Sequence, residues 1–276
     1  MTAVHASPRG RSALRDSRTM SRRAVRRLVR YPSLTIIVLA MPLVFLLLFV
    51  YVFGGTMGAG ATGAAGPPSG DGADARADYL AYVVPGVLAM TLASVASSTA
   101  ISVSMDMTAG IIARFKTMPI ARVSILTGHV VGAMIQSVLG LAVLLGVAVL
   151  LGYRPEATAA GWVGALALMA IFAFALTWLA VLLGLSADSV ETASNTPLIL
   201  SLLPFIGSGF VPTDTMPAGL RWVAEHQPFT PVMEALRSFL TGEPAGSDGW
   251  IALAWCLVIG LAGYLGSRRL YDREPA

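Results

Sequence analysis

The sequence predicts an all-α integral membrane protein with six transmembrane helices, both termini cytoplasmic, an N-terminal interfacial helix and short re-entrant outer helices before the last span. Three observations predict it. Of 276 residues, 55% are hydrophobic and only 12% charged, whereas soluble domains carry about 25% charged residues; the mean hydropathy is +0.72. Six apolar segments punctuate the chain, and about 20 apolar residues cross a bilayer core of about 30 Å. Arginines alternate in density on the two sides of those segments. The charge deficit excludes a disordered chain and weighs against a soluble enzyme. Six spans use about 125 residues, which leaves loops and tails but no second large soluble domain. Cys256 is the sole cysteine, so no disulfide forms within the chain and no Cys-based metal cluster is available.

Residues 1–20 read as a disordered basic tail. Residues 21–31 read as an interfacial helix: Val25, Leu28 and Val29 lie at i, i+3 and i+4, with arginines at 22, 23, 26, 27 and 30 around them, and Pro32 closes the segment. Ser21-Arg22-Arg23 also fits a twin-arginine export signal, but the apolar run that follows is too long for a signal core and five more spans come after it. A single transmembrane domain then covers 21–268, with spans over 34–53, 80–103, 124–151, 162–185, 197–211 and 250–265, and 269–276 form a cytoplasmic tail. The short fifth span contains Pro204, which a membrane helix tolerates when neighbours satisfy the freed carbonyl.

Fifteen of the nineteen Arg and Lys residues fall before span one, between spans two and three, or after span six. Cytoplasmic loops keep the positive residues, which places both termini inside.

Residues 54–78, rich in Gly and Ala with Pro67-Pro68, read as a mobile external loop. The cytoplasmic loop 105–123 differs. Ile111, Phe115 and Met118 form one helical stripe, Arg114 and Lys116 lie off it, and Pro119 forces an exit. Such a short amphipathic helix either lies on lipid or docks a soluble partner. Asp188 and Glu191 have capping-box spacing. The outer stretch 212–248 is too apolar for a simple loop, and 220–226 and 231–240 read as short helices dipping into the outer leaflet, with Glu234 and Arg237 paired at i, i+3.

No G-x-x-x-x-G-K-[ST] occurs, and Lys116 is the only lysine, so the chain carries no P-loop. His5, His129 and His226 are scattered and make no metal set. The six spans contain no charged residue between their ends, only Gln136 and scattered Ser and Thr, which disfavours an ion-coupled pump. Such a protein either conducts passively or takes energy from a partner, and the docking helix favours the partner.

Four stretches carry a family resemblance. They are Arg27–Pro32 with Pro42 and Tyr51-Val52-Phe53-Gly54-Gly55; Tyr79 through Pro85-Gly86; Asp106, Gly110, Arg114, Phe115, Pro119 and Gly128; and Phe210 through Pro217, then Gln227-Pro228-Phe229-Thr230-Pro231, Ala235-Leu236-Arg237 and Gly242. In this order the chain resembles the membrane permease subunit of a type-2 ATP-binding-cassette (ABC) exporter of the bacterial daunorubicin-resistance kind. It departs from that pattern at Gln227, where Asn is usual, and at Ala113, where an acidic residue is frequent; the first bears on an outer-loop hydrogen bond, the second on a polar contact with the ATPase.

The resemblance implies a transport permease that is not itself an enzyme. No cofactor is expected on this chain; ATP and Mg belong to a partner ABC ATP-binding subunit. Two permeases, identical or closely related, would pair with two ATPases in a bacterial plasma membrane. Asp106, Gly110, Arg114, Phe115, Lys116, Pro119 and Arg30 would dock the ATPase. Met90, Ser94, Ser97, Phe205 and Phe210 would line a path for a small amphipathic drug, antibiotic or lipid-like substrate. Pro212, Pro217, Pro228, Glu234 and Arg237 would form an outer lid. Membrane lipids are expected partners and nucleic acid is not. A glycan-exporting permease and a non-transporting membrane anchor are the alternatives; an intramembrane enzyme lacks a visible nucleophile, carboxylate pair or metal set.

Overall fold

The computed structural model describes residues 22, 26, 30, 32–53, 72–108, 123–187, 189–211 and 213–273. These are helical apart from short connections, and they contain no strand. The helices are α1 (Pro32–Leu48), α2 (Gly72–Thr108), α3 (Val123–Leu150), α4 (Ala159–Ser186), α5 (Val190–Ile206), α6 (Ala218–His226), α7 (Phe229–Thr241) and α8 (Gly246–Arg273). A π-helical turn, Phe49–Phe53, follows α1, and a 3-10 turn, Thr213–Thr215, precedes α6.

Five helices are long and apolar enough to cross a membrane, over Thr35–Val52, Ala77–Thr108, Leu126–Leu150, Ala159–Ser186 and Gly246–Leu270. The expected fifth span, 197–211, is instead the 17-residue α5. At 1.5 Å per residue it is about 26 Å long, short of a 30 Å core. It starts earlier than expected because Ser189 caps it, its hydroxyl accepting the Thr192 N–H at 3.2 Å. The expected cap, Asp188, lies outside the described residues. Gly207 ends it, with its N–H on the Leu203 carbonyl.

α2 also differs from the expected 80–103. It is 37 residues long, and its first turns take up 72–78, which had read as external loop. The alternating alanines at 73, 75 and 77 favour helix, and the buried side chains of Tyr79 and Leu80 anchor it. Arg22, Arg26 and Arg30 are helical and exposed, on the expected interfacial segment. α8 carries the helix through 269–273, which had read as tail. The rest of 21–31, and residues 1–20, 54–71, 109–122 and 274–276, lie outside the described residues.

α2 is the centre of the bundle. It packs on α1, α3, α4, α5 and α7, while α4 packs most extensively on α8. Small residues permit this closeness, as expected where dispersion rather than water exclusion drives helix association. A Cβ on Gly184 would sit 2.5 Å from the Ala100 carbonyl O, and one on Gly263 2.6 Å from the Leu179 amide N. The main core runs from Leu46 and Leu80 through Leu92, Phe172 and Leu176 to Phe229 and Leu236. A second cluster, Val103, Leu126, Val130, Trp178, Val181 and Leu185, fills the other end of the bundle. Around both, Ile37, Met41 and Val44 on α1, Val138 and Val143 on α3, and Leu257, Val258 and Leu261 on α8 face outward. An apolar exterior of this extent suits lipid rather than water.

Candidate functional site

The proline-bearing turn of α2 meets the end of α5. Pro85 lies within α2, and the turn after α5 begins at Gly207. There Gly86 touches Gly209: a Cβ on Gly86 would fall 2.8 Å from the Gly209 carbonyl O. Met233 of α7 closes the contact from the far side, its sulfur 2.6 Å from where a Gly209 Cβ would stand.

Arg237 of α7 fastens this junction. Its Nη2 donates to the Ser208 carbonyl at 3.0 Å and to the Tyr82 carbonyl at 3.2 Å. Its Nη1 meets Glu234 Oε2 at 2.5 Å. The guanidinium lies 4.3 Å from the Tyr82 ring centroid, within cation–π range. The side chain is only 18% exposed, and a charge so enclosed requires such compensation. The fork geometry of arginine supplies donors in three directions from one group. Tyr153, on the connection after α3, also feels this cation: burial pushes its phenol up to about 12, with Arg237 pulling the other way, so it stays neutral. The Tyr82 hydroxyl, Ser208 Oγ and Arg237 Nε are buried here without a protein partner among the described residues.

A second tie lies alongside. Gln227 Nε2 donates to the Leu203 carbonyl at 2.9 Å and to Thr230 Oγ1 at 3.3 Å, and Thr230 Oγ1 donates to the Ala224 carbonyl at 2.5 Å. The glutamine thus joins the α6–α7 corner to the end of α5. Pro217 precedes α6 and Pro228 precedes α7, each where its missing N–H costs nothing. Of the expected lid residues, Glu234 and Arg237 come together; Pro228 stands at the start of the same helix; Pro217 is exposed; Pro212 lies outside the described residues.

Beside this junction four phenylalanines join α1 to α5. Phe45 meets Phe205 edge-on at 4.8 Å. Phe49 stacks on Phe210 at 4.7 Å, and Phe205 on Phe210 at 5.0 Å. Of the expected path residues, Phe205 and Phe210 therefore belong to one aromatic cluster. Met90 is buried in the main core, and Ser94 Oγ donates back to the Met90 carbonyl at 3.0 Å. Ser97 meets Ser201 of α5 at 3.0 Å and donates to the Pro197 carbonyl at 3.3 Å.

At the opposite end, Asp106 is paired across the α2–α3 gap with His129, 3.1 Å from carboxylate to Nε2, both side chains largely covered. Arg30 is exposed. Gly110, Arg114, Phe115, Lys116 and Pro119 lie outside the described residues. The sequence reading missed Tyr82, Ser208, Gly209, Phe45, Phe49 and His129 as members of these sites. Pro85-Gly86 and the i, i+4 pair Phe45 and Phe49 were visible signals for some of them; backbone carbonyls such as that of Ser208 leave none.

The chain is similar over residues 16–241 to the family described as ABC-2 type transporter. It is 29% identical over 280 residues, covering 100% of this chain and 93% of the relative, to a daunorubicin resistance ABC transporter permease protein of Streptomyces coeruleorubidus. It is 24% identical over 183 residues, 64% of this chain and 66% of the relative, to a probable doxorubicin resistance ABC transporter permease protein of Mycobacterium tuberculosis. With most of its length matched and its helices arranged as described, the chain belongs to the ABC-2 type transporter family.

Proposed function

We propose that this chain is the transmembrane subunit of an ATP-driven exporter that moves an amphipathic drug-like molecule outward across a bacterial plasma membrane. The observation that carries the reading is the end-to-end similarity to a daunorubicin resistance permease in a chain that has no P-loop of its own. Energy then comes from a separate ATP-binding subunit, and ATP with Mg sits there. In this reading α5 also crosses, as the fifth of six spans, shortened at its outer end and completed by the Gly207–Phe210 turn, and both termini are cytoplasmic. α6 and α7 are re-entrant and cap the outer end.

The mechanism follows from how the elements are tied. Two copies would face each other with the cargo between them. The ATPase would press on the loop 109–122 and the helix before Pro32. Asp106 and His129 join the two helices that flank that loop, so a push there moves α2 and α3 together. α2 carries the displacement to Gly86, where α5 and α7 are fastened by Gly209 and Arg237. The apolar rings of Phe45, Phe49, Phe205 and Phe210 suit a planar, apolar cargo.

The test is ATPase turnover of the reconstituted protein, alone and with its candidate ATP-binding subunit, across a panel of amphipathic drugs. No turnover alone and drug-stimulated turnover together supports the reading. Failure to form a complex with any ATP-binding subunit overturns it.

A further inference from the structure

α4 and α8 approach most closely at glycines. A Cβ on Gly263 would lie 2.6 Å from the Leu179 N, and one on Gly260 3.7 Å from Ala175 Cα. With the backbones this near, the larger side chains on the flank stand apart, and a cavity of about 580 Å³ opens between the helices. Phe174 and Trp178 wall it on α4, and Leu257 and Tyr264 on α8, over a floor of Cys256 and Gly260. Trp178 and Tyr264 meet edge-on at 4.9 Å. None of the path, lid or docking residues lines it.

The cavity is oriented. Trp178 also belongs to the small core cluster with Val103, Leu126 and Val130, against which Leu270 packs. One end of the cavity therefore lies at the Asp106–His129 end of the bundle. On α8 the lining positions 257, 260 and 264 recur at helical spacing, and Arg268 continues that stripe one turn beyond Tyr264, with Arg269 next to it, both exposed. An apolar slot with two exposed arginines one helical turn beyond its last α8 lining residue has the polarity of a phospholipid, acyl chain first and phosphate last. Arginine meets phosphate oxygens in a bidentate fork, and basic pockets between helices on the cytoplasmic side bind anionic headgroups. A second copy of the chain seated there by two-fold symmetry would bring four guanidinium groups to one end of the interface, where they repel.

We propose that the α4–α8 groove binds one anionic phospholipid, an acyl chain against Trp178 and Cys256 and its phosphate on Arg268 and Arg269. The inference rests on the reading of α4 and α8 as membrane spans. The test uses the full chain in phosphatidylcholine nanodiscs doped with phosphatidylglycerol that carries a diazirine in its acyl chain, with cross-linked peptides mapped by mass spectrometry. Labels are expected to concentrate on the α4 and α8 segments around Trp178 and Cys256, well above the yield from the phosphatidylcholine analogue. R268Q with R269Q, on the exposed surface, should lower that selectivity by up to about thirtyfold. G260L should remove the label by filling the slot; if it fails to fold, the arginine pair alone carries the test. Equal labelling by both lipids, labels spread evenly over the outward faces of α1 and α3, or cross-links between two copies at the groove would each overturn the proposal. Nanodiscs expose both sides, so a negative result leaves the orientation of the chain and its transport role untouched, and those fail or stand on the ATPase assay.

Discussion

Gly86 and Gly209 meet backbone to backbone, so close that a Cβ on Gly86 would lie 2.9 Å from the Gly209 Cα. Their 123-residue separation in sequence is closed where α2 carries a proline and α5 has just ended. Neither neighbour is a side chain that can rotate away. Gly86→Ala must therefore move one helix, and we expect a loss of roughly 1–3 kcal/mol. Gly146 has nothing within 4 Å of its Cβ position, so Gly146→Ala should be neutral or gain up to about 1 kcal/mol from helix propensity. Thermal unfolding of both variants in one detergent checks the contrast; equal effects would refute the close contact.

Arg237 ties α7 to both α2 and the turn after α5. Arg237→Gln should destabilise by about 2 kcal/mol, less than a fully buried pair would lose because Glu234 is partly exposed. Arg237→Lys keeps the charge but not the fork, and should recover less than half of the loss. A double-mutant cycle with Tyr82→Leu should show a coupling of about 0.5–1 kcal/mol from the ring contact. Complete rescue by lysine would show that charge alone matters there.

The aromatic cluster predicts a functional effect. Phe205→Ala and Phe210→Ala each remove two ring contacts, worth about 0.5–1.5 kcal/mol apiece beyond their area. We expect the half-saturating drug concentration for ATPase stimulation to rise about tenfold or more, while Val163→Ala, on an exposed position of α4, leaves it unchanged. An unchanged drug response in both Phe variants would remove these rings from the path.

The other end of the bundle predicts uncoupling. Arg114→Glu with Lys116→Glu should abolish ATPase stimulation while membrane insertion is retained. Asp106→Ala should lower stimulation without preventing co-purification with the ATP-binding subunit, since its partner His129 belongs to the bundle itself. Co-purification and turnover, measured on the same preparations, separate the two outcomes. Stimulation at the level of the unmodified protein in the Asp106 variant would show that the pair transmits nothing.

The sequence by itself determined the membrane character, the long helices and the family. Those properties are written locally: apolar runs of span length, arginines counted loop by loop, and the short motifs around Pro85-Gly86 and Pro228. It also placed α6, α7 and the Glu234–Arg237 pair, because helical spacing of three or four is local as well. It misjudged α5 and the start of α2, where a hydroxyl cap and a few alanines extend a helix past its apolar run. Only the tertiary structure decided which parts meet. Arg237 chooses carbonyls of Tyr82 and Ser208, Gln227 chooses that of Leu203, and His129 chooses Asp106. Backbone carbonyls carry no residue-specific mark, and close helix contacts depend on which glycines end up facing each other, which periodicity alone leaves open.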